Sequence, residues 1–68
     1  SPLALAAAIA LGYLRPGTLA TDRALTKLHK VWTDCGQPVT GFADFEAALV
    51  REGLRLRRLA ARRKVDGD

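Results

Sequence analysis

The apolar residues near the start of the chain predict a first helix with little polar surface. Residues 2–14 read PLALAAAIALGYL, which places apolar side chains on every side of a helix. Ser1 is placed to cap this helix, and Pro2 suits its first turn because its missing N–H would have no partner there. Arg15-Pro16-Gly17 then predicts its end. The sequence therefore predicts a helix over residues 1–15 that makes contacts on more than one face.

A single apolar stripe predicts the second helix, over residues 18–35. Its members recur every three or four residues and are Leu25, Leu28, Trp32 and Cys35. Thr18 or Thr21 is placed to cap the start of the helix, and Gly36 to end it. A separate face carries basic side chains at positions i, i+4 and i+7, namely Arg23, Lys27 and Lys30. We therefore expect an amphipathic helix with a basic outer side.

A third helix is predicted over residues 41–52, after a short connection at residues 36–40. Thr40 is a suitable N-cap, and Gly53 is interpreted as the residue that ends the helix. The side chains expected to face inward are Phe42, Phe45, Ala48 and Leu49. The outer side carries the acidic residues Asp44, Glu46 and Glu52. This helix is therefore net acidic for most of its length.

The segment 54–65 has two interpretations. Leu54-Arg55-Leu56-Arg57 alternates with period two, as in an edge strand with one face in water. Residues 58–64 favour a helix by propensity. The favoured interpretation pairs the two ends of the segment as a hairpin, and the other places a basic fourth helix after a break at Gly53. The predicted fold class is mainly α: a three-helix, helix-turn-helix-like domain with a short C-terminal β-hairpin wing, or alternatively an all-α domain of four helices.

A chain of 68 residues has room for a single core, and its large members are few. The candidates are Leu3, Leu5, Ile9, Leu11, Tyr13, Leu14, Leu19, Leu25, Leu28, Val31, Trp32, Phe42, Phe45, Leu49 and Val50, with some of Leu54, Leu56 and Leu59. We interpret the chain as one small domain excised from a longer protein.

The length of the first helix and the residues before it argue against a membrane span and against a signal peptide. Its apolar run of about 13 residues is too short to cross a hydrocarbon core of about 30 Å, and no basic region precedes it. The single cysteine, Cys35, forms no internal disulfide, which is typical of a reducing compartment. We therefore expect a cytoplasmic protein without a membrane partner.

The sequence offers little for catalysis or for a cofactor. His29 is the single histidine, and no metal-ligand set lies at helical spacing from it. Cys35 is interpreted as a packed core thiol and His29 as partly exposed. Gly-rich phosphate signatures are missing, and a domain of this size has little room for a pocket of about 300 Å³. The sequence predicts a non-enzyme with no cofactor and no metal.

The positive charge is concentrated near the C-terminus. Residues 51–64 hold seven of the eleven basic side chains against one acid, for a local charge of +6, whereas residues 1–50 are neutral. Neutralising phosphates releases counterions, and the planar arginine fork suits phosphate. The sequence predicts nucleic-acid binding, with DNA favoured over RNA. The predicted contacts are Arg23, Lys27, Lys30, Arg51, Arg55, Arg57, Arg58, Arg62, Arg63 and Lys64.

The order of elements carries a resemblance to a known family. Two helices joined by a short glycine-containing turn are followed by alternating leucine and arginine, and the pattern Phe45…Leu49…Glu52-Gly53-Leu54…Arg57-Arg58 leads to Val65-Asp66-Gly67. This arrangement over residues 20–68 resembles a winged helix-turn-helix domain and is similar to the C-terminal modules of plasmid and phage replication primase-helicases. The resemblance implies DNA binding in replication or transcription regulation, with residues 54–65 as the wing.

The resemblance also implies that the helix after the turn enters the major groove. Its acidic residues Asp44, Glu46 and Glu52 depart from that role, since they would meet a polyanion. We therefore expect a phosphate-led mode in which the arginines supply most of the affinity.

A protein partner is the alternative function. The hydrophobic first helix would then dock on a second copy or on the parent protein, with its alanines allowing close approach. Residues 42–64 would bind an acidic protein. Such a chain would be a helical interaction or dimerisation module.

Overall fold

The chain forms three helices in the computed structural model, which describes residues 1–17, 22–37 and 41–65. Helix α1 spans Pro2–Ala10, α2 spans Asp22–Asp34 and α3 spans Phe42–Val65. These three ranges contain no strand, so the prediction of a mainly α fold is confirmed. The predicted caps Thr18, Thr21 and Thr40, the core candidate Leu19 and the turn at residues 66–67 lie outside the described residues.

The start of α1 follows the prediction. Ser1 is its N-cap, with the Oγ atom 3.4 Å from the Ala4 amide that donates to it, and Pro2 occupies the first turn. A serine cap satisfies one of the N–H groups that a helix start leaves without a partner.

The end of α1 comes earlier than the sequence predicted. Gly12 adopts a φ of +84°, and its amide donates to the Ile9 carbonyl at 3.0 Å. The next amide, of Tyr13, donates to the Ala8 carbonyl at 2.8 Å. This is the Schellman arrangement, in which glycine takes the left-handed conformation that other residues rarely adopt. The turn at residues 15–17 is therefore not what ends the helix.

Helix α2 ends as predicted, next to Gly36. The Gly36 amide donates to the Thr33 carbonyl at 3.0 Å, and the Gln37 amide donates to the Trp32 carbonyl at 3.2 Å. Helices α1 and α2 therefore both end in a Schellman motif, with equivalent hydrogen bonds.

Helix α3 runs through Gly53 without interruption. The favoured hairpin over residues 54–65 is therefore wrong, and so is the break that separated a fourth helix. One glycine costs a helix only about 1 kcal/mol, and the residues after it are mostly leucine, arginine and alanine, which are strong helix formers. An isolated two-stranded hairpin has only marginal stability in water. Local propensity outweighs the short period-two pattern.

Gly53 is a contact residue between α1 and α3. A Cβ atom built on it would lie 3.0 Å from the Ala7 Cβ and 3.4 Å from the Ala7 Cα. About two turns earlier along α3, the Glu46 Oε2 lies 2.9 Å from the Ser1 amino nitrogen. Both contacts advance in the same direction, so the two helices run alongside each other in the same sense. The absence of a side chain at Gly53 lets them approach closely.

We predict that Gly53→Leu destabilises the fold by about 1–3 kcal/mol, because the new side chain must displace α1. Urea denaturation followed by circular dichroism measures this change. The matched control is Ala47→Leu, at an exposed position of the same helix. Equal stability of the two variants would contradict the close contact between α1 and α3.

The core is smaller than the sequence predicted. Its buried members are Ala4, Leu5, Ala7, Ala8, Leu25, Phe45 and Leu49. Several other candidates pack partly buried against it, namely Ile9, Leu11, Leu14, Leu28, Trp32, Phe42 and Val50. Leu3 and Val31 were expected inside and are 71% and 58% exposed. The buried residues of α1 include Leu5 and Ala7, which lie on nearly opposite sides of the helix, in line with the expected contacts on more than one face. Leu3, Ala6 and Ala10 stay exposed.

An aromatic cluster joins α2 to the start of α3. The Phe45 ring centroid lies 5.0 Å from that of His29, 5.4 Å from that of Trp32 and 6.0 Å from that of Phe42. Tyr13 meets Trp32 edge-on at 5.4 Å. Such pairs add stability beyond the area they bury. His29 is half-buried, as predicted, because one face of its ring packs in this cluster.

No helix in the described parts of the chain has the length and apolar character needed to cross a membrane.

Candidate nucleic-acid interface

The second half of α3 projects beyond the core. Helix α1 ends at Ala10, and every described side chain from Leu54 to Lys64 is exposed. A helix of 24 residues is about 36 Å long, and the longest dimension of the molecule is 40 Å. The basic segment is therefore an exposed helix that extends along the long axis of the molecule.

Four arginines share one face of this helix. Arg51, Arg55, Arg58 and Arg62 follow one another at spacings of four, three and four residues, which brings them onto one side. We call this set the arginine stripe, and it covers about 16 Å along the helix axis. It points away from the side on which Leu49 is buried. The core therefore leaves the whole stripe accessible.

One member of the arginine stripe has an acidic neighbour. The Arg55 guanidinium lies 3.1 Å from the Glu52 carboxylate, and its Nε donates to the same oxygen at 3.2 Å. The Arg55 side chain is 70% exposed and that of Glu52 is 45% exposed, so this ion pair contributes little stability and is readily exchanged. Among the described residues, no carboxylate forms an ion pair with Arg51, Arg58 or Arg62.

The remaining basic residues of α3 lie beside the arginine stripe. Arg57 lines a groove between α1 and α3. Arg63 and Lys64 lie in the last turn together with Arg62, where cations interact favourably with the helix dipole. All of the predicted α3 contacts are exposed, but only four of them form one row.

The basic residues of α2 lie on a different helix from the arginine stripe. Arg23, Lys27 and Lys30 are exposed, as predicted. Helix α2 meets α3 through the contacts of its aromatic residues with Phe45, and Arg58 lies thirteen residues further along, about 20 Å away. The two basic sets therefore belong to different helices, and no described contact joins them.

Two of the acids that made α3 a poor partner for a polyanion are already engaged. The half-buried Glu46 faces the start of α1, where a carboxylate is favoured by the helix dipole. Glu52 is bound to Arg55. The acidic character that the sequence assigned to the outer side of the helix is correspondingly reduced.

The candidates for other chemistry are dispersed. The described residues contain no group of three or more His, Cys, Asp or Glu side chains that could hold a metal. Cys35 is exposed, so its assignment to the core is wrong: it follows the last turn of α2, beyond the part that packs on α3.

The groove between α1 and α3 has a volume of about 330 Å³, more space than was expected in so small a domain.

Comparisons with known proteins assign no family. The chain matches no protein-family model, no curated protein and no solved structure. The likeness to winged helix-turn-helix domains stays a prediction, with helix in place of the expected wing. The function is therefore argued from the geometry and the charge of the described residues.

Proposed function

We propose that the chain is a nucleic-acid-binding module that contacts the phosphate backbone, of DNA in particular, through the arginine stripe. The observation that carries this proposal is the alignment of Arg51, Arg55, Arg58 and Arg62 on one exposed helix face. The module acts as a binding unit rather than as an enzyme, uses no cofactor and functions in the cytoplasm. By the winged-helix resemblance, its setting is plasmid or phage replication or transcription regulation.

The stripe is electrostatically unfavourable without an anion. Arg51 and Arg55, and likewise Arg58 and Arg62, are like-charged pairs at i, i+4, which destabilise a helix by a few tenths of a kcal/mol each. A row of phosphates relieves this repulsion and releases condensed counterions. Over about 16 Å, duplex DNA presents about ten phosphates on its two strands. The stripe therefore has enough anionic partners within its length.

The other basic residues have secondary roles in this proposal. The basic face of α2 adds phosphate contacts elsewhere on the duplex and raises the association rate. A single α-helix fits the major groove, which is about 12 Å wide, so α3 can approach with the arginine stripe along the phosphates of one strand. Contacts to phosphate position the protein without reading the base sequence.

The test is a fluorescence-anisotropy titration of a labelled DNA duplex and a labelled single strand at several salt concentrations. We expect log K to fall linearly with log salt concentration, with a slope of about −4 for the duplex if four phosphates are neutralised. The single strand should show a shallower slope. Absence of binding at about 50 mM salt, or an affinity that salt leaves unchanged, would refute phosphate-led binding.

A further inference from the structure

A groove with apolar walls lies between α1 and the second half of α3. Its volume is about 330 Å³. Its lining includes Leu3, Ala6 and Ala10 from α1, and Leu54, Leu56 and Arg57 from α3. We call it the α1–α3 groove.

The α1–α3 groove and the arginine stripe occupy different sides of α3. Gly53, Arg57 and Ala60 line the groove at spacings of four and three residues, which defines one face of the helix. The stripe lies about 160° around the helix axis from the centre of this face. A molecule in the groove would therefore leave the arginine stripe accessible.

The groove exposes an unusual share of the large apolar side chains. Leu3 is 71% exposed, and Leu54 and Leu56 are each 44% exposed. These are three of the six large hydrophobic side chains that are exposed in the described parts of the chain. A contiguous apolar patch of this kind is typical of an interaction surface. Ala6 and Ala10 between the leucines leave room for the backbone of another helix.

The charge around the groove favours an acidic helix over a second copy of this chain as the bound partner. Arg57 is the only charged residue among those that line the described groove, and Lys64 lies seven residues further along the same side of α3. A second copy in a two-fold dimer would place this patch against itself, and so would bring Arg57 towards Arg57. The +6 segments of both copies would also approach each other. A helix with acidic residues beside its apolar face pairs with the groove without this repulsion.

We infer that the α1–α3 groove binds an amphipathic helix of another protein, with leucine-type side chains inserted between α1 and α3 and an acidic residue opposite Arg57. This is helix-in-groove recognition, in which apolar residues at i, i+3, i+4 and i+7 supply the anchors. The groove lies outside the arginine stripe, so the chain can bind a nucleic acid through the stripe and an acidic helical partner through the groove.

The experiment measures binding of designed helical peptides to the complete chain by fluorescence anisotropy. The first peptide carries leucines on one face with flanking glutamates, and the second carries lysines in place of the glutamates. We expect the glutamate peptide to bind at least tenfold more tightly than the lysine peptide. Arg57→Glu should reverse that preference, and Leu54→Gln should weaken both peptides. Val31→Gln, at an exposed apolar position outside the groove, should change neither affinity.

A second variant separates this inference from the function proposed for the arginine stripe. Arg58→Glu/Arg62→Glu should leave the affinity for the glutamate peptide within about twofold of the parent, once salt has screened long-range attraction. If this variant abolished peptide binding and Leu54→Gln did not, the peptide would occupy the stripe and the inference would be wrong. Failure of the glutamate peptide to bind would overturn it as well. So would a dimer in sedimentation equilibrium that Leu54→Gln dissociates, since a second copy would then fill the groove.

Discussion

Replacing Phe45 by alanine is expected to abolish most of the cooperative folding of the chain. Its side chain is fully buried, and its ring contacts those of His29, Trp32 and Phe42. Truncation of a buried phenylalanine costs about 3–5 kcal/mol. A domain of this length has a total stability of only about 3–10 kcal/mol. The loss is therefore comparable with the whole stability, and it removes the residue that holds α2 against α3.

Thermal unfolding followed by circular dichroism tests this expectation. The midpoint should fall by at least about 12 °C, or the transition should disappear. Val31→Ala is the control, because Val31 lies on α2 and is 58% exposed, and its effect should stay within about 0.5 kcal/mol. A Phe45→Ala variant as stable as this control would show that the aromatic cluster does not hold the helices together.

The second large effect concerns the arginine stripe. Arg58→Glu/Arg62→Glu should weaken DNA binding by about 100-fold or more at low salt, because two charge-assisted contacts are lost and repulsion replaces them. The slope of log K against log salt concentration should change from about −4 to about −2. Anisotropy titrations of the parent chain and the variant on the same duplex measure both quantities.

A variant with the same net charge provides the matched control. Arg23→Glu/Lys27→Glu changes two exposed basic residues of α2 and should weaken binding by about tenfold or less, since those side chains add only secondary contacts. Equal losses in both variants would mean that total charge determines the affinity, and the assignment to the stripe would be incorrect. Circular dichroism confirms that each variant keeps its helices.

Local sequence signals were sufficient where the physics is local. The capping of α1 by Ser1 and the end of α2 at Gly36 follow from hydrogen bonds between residues a few positions apart. Burial of Leu25 and Phe45 follows from apolar periodicity, since those positions face inward in any packing of the helices.

The same signals were insufficient for the candidate site. The spacing of Arg51, Arg55, Arg58 and Arg62 is visible in the sequence. It has meaning only in a helix, and the alternation of leucine and arginine after Gly53 directed the interpretation to a strand. Continuing the helical period of Phe45 and Leu49 past Gly53 would have revealed the stripe. The α1–α3 groove had no such signal, because its walls belong to residues far apart in the chain.

The sequence by itself determined a mainly helical chain, the ends of its helices at Ser1 and Gly36, and a positive charge concentrated in residues 51–64. These properties depend on composition, propensity and neighbouring residues. Only the tertiary structure decided that Gly53 is a contact with Ala7 rather than a stop, that Leu3 and Cys35 are exposed, and that the basic segment is an exposed helix with two distinct faces. The physical reason is that α1 is much shorter than α3, so burial ends where α1 ends and the rest of α3 remains open to partners.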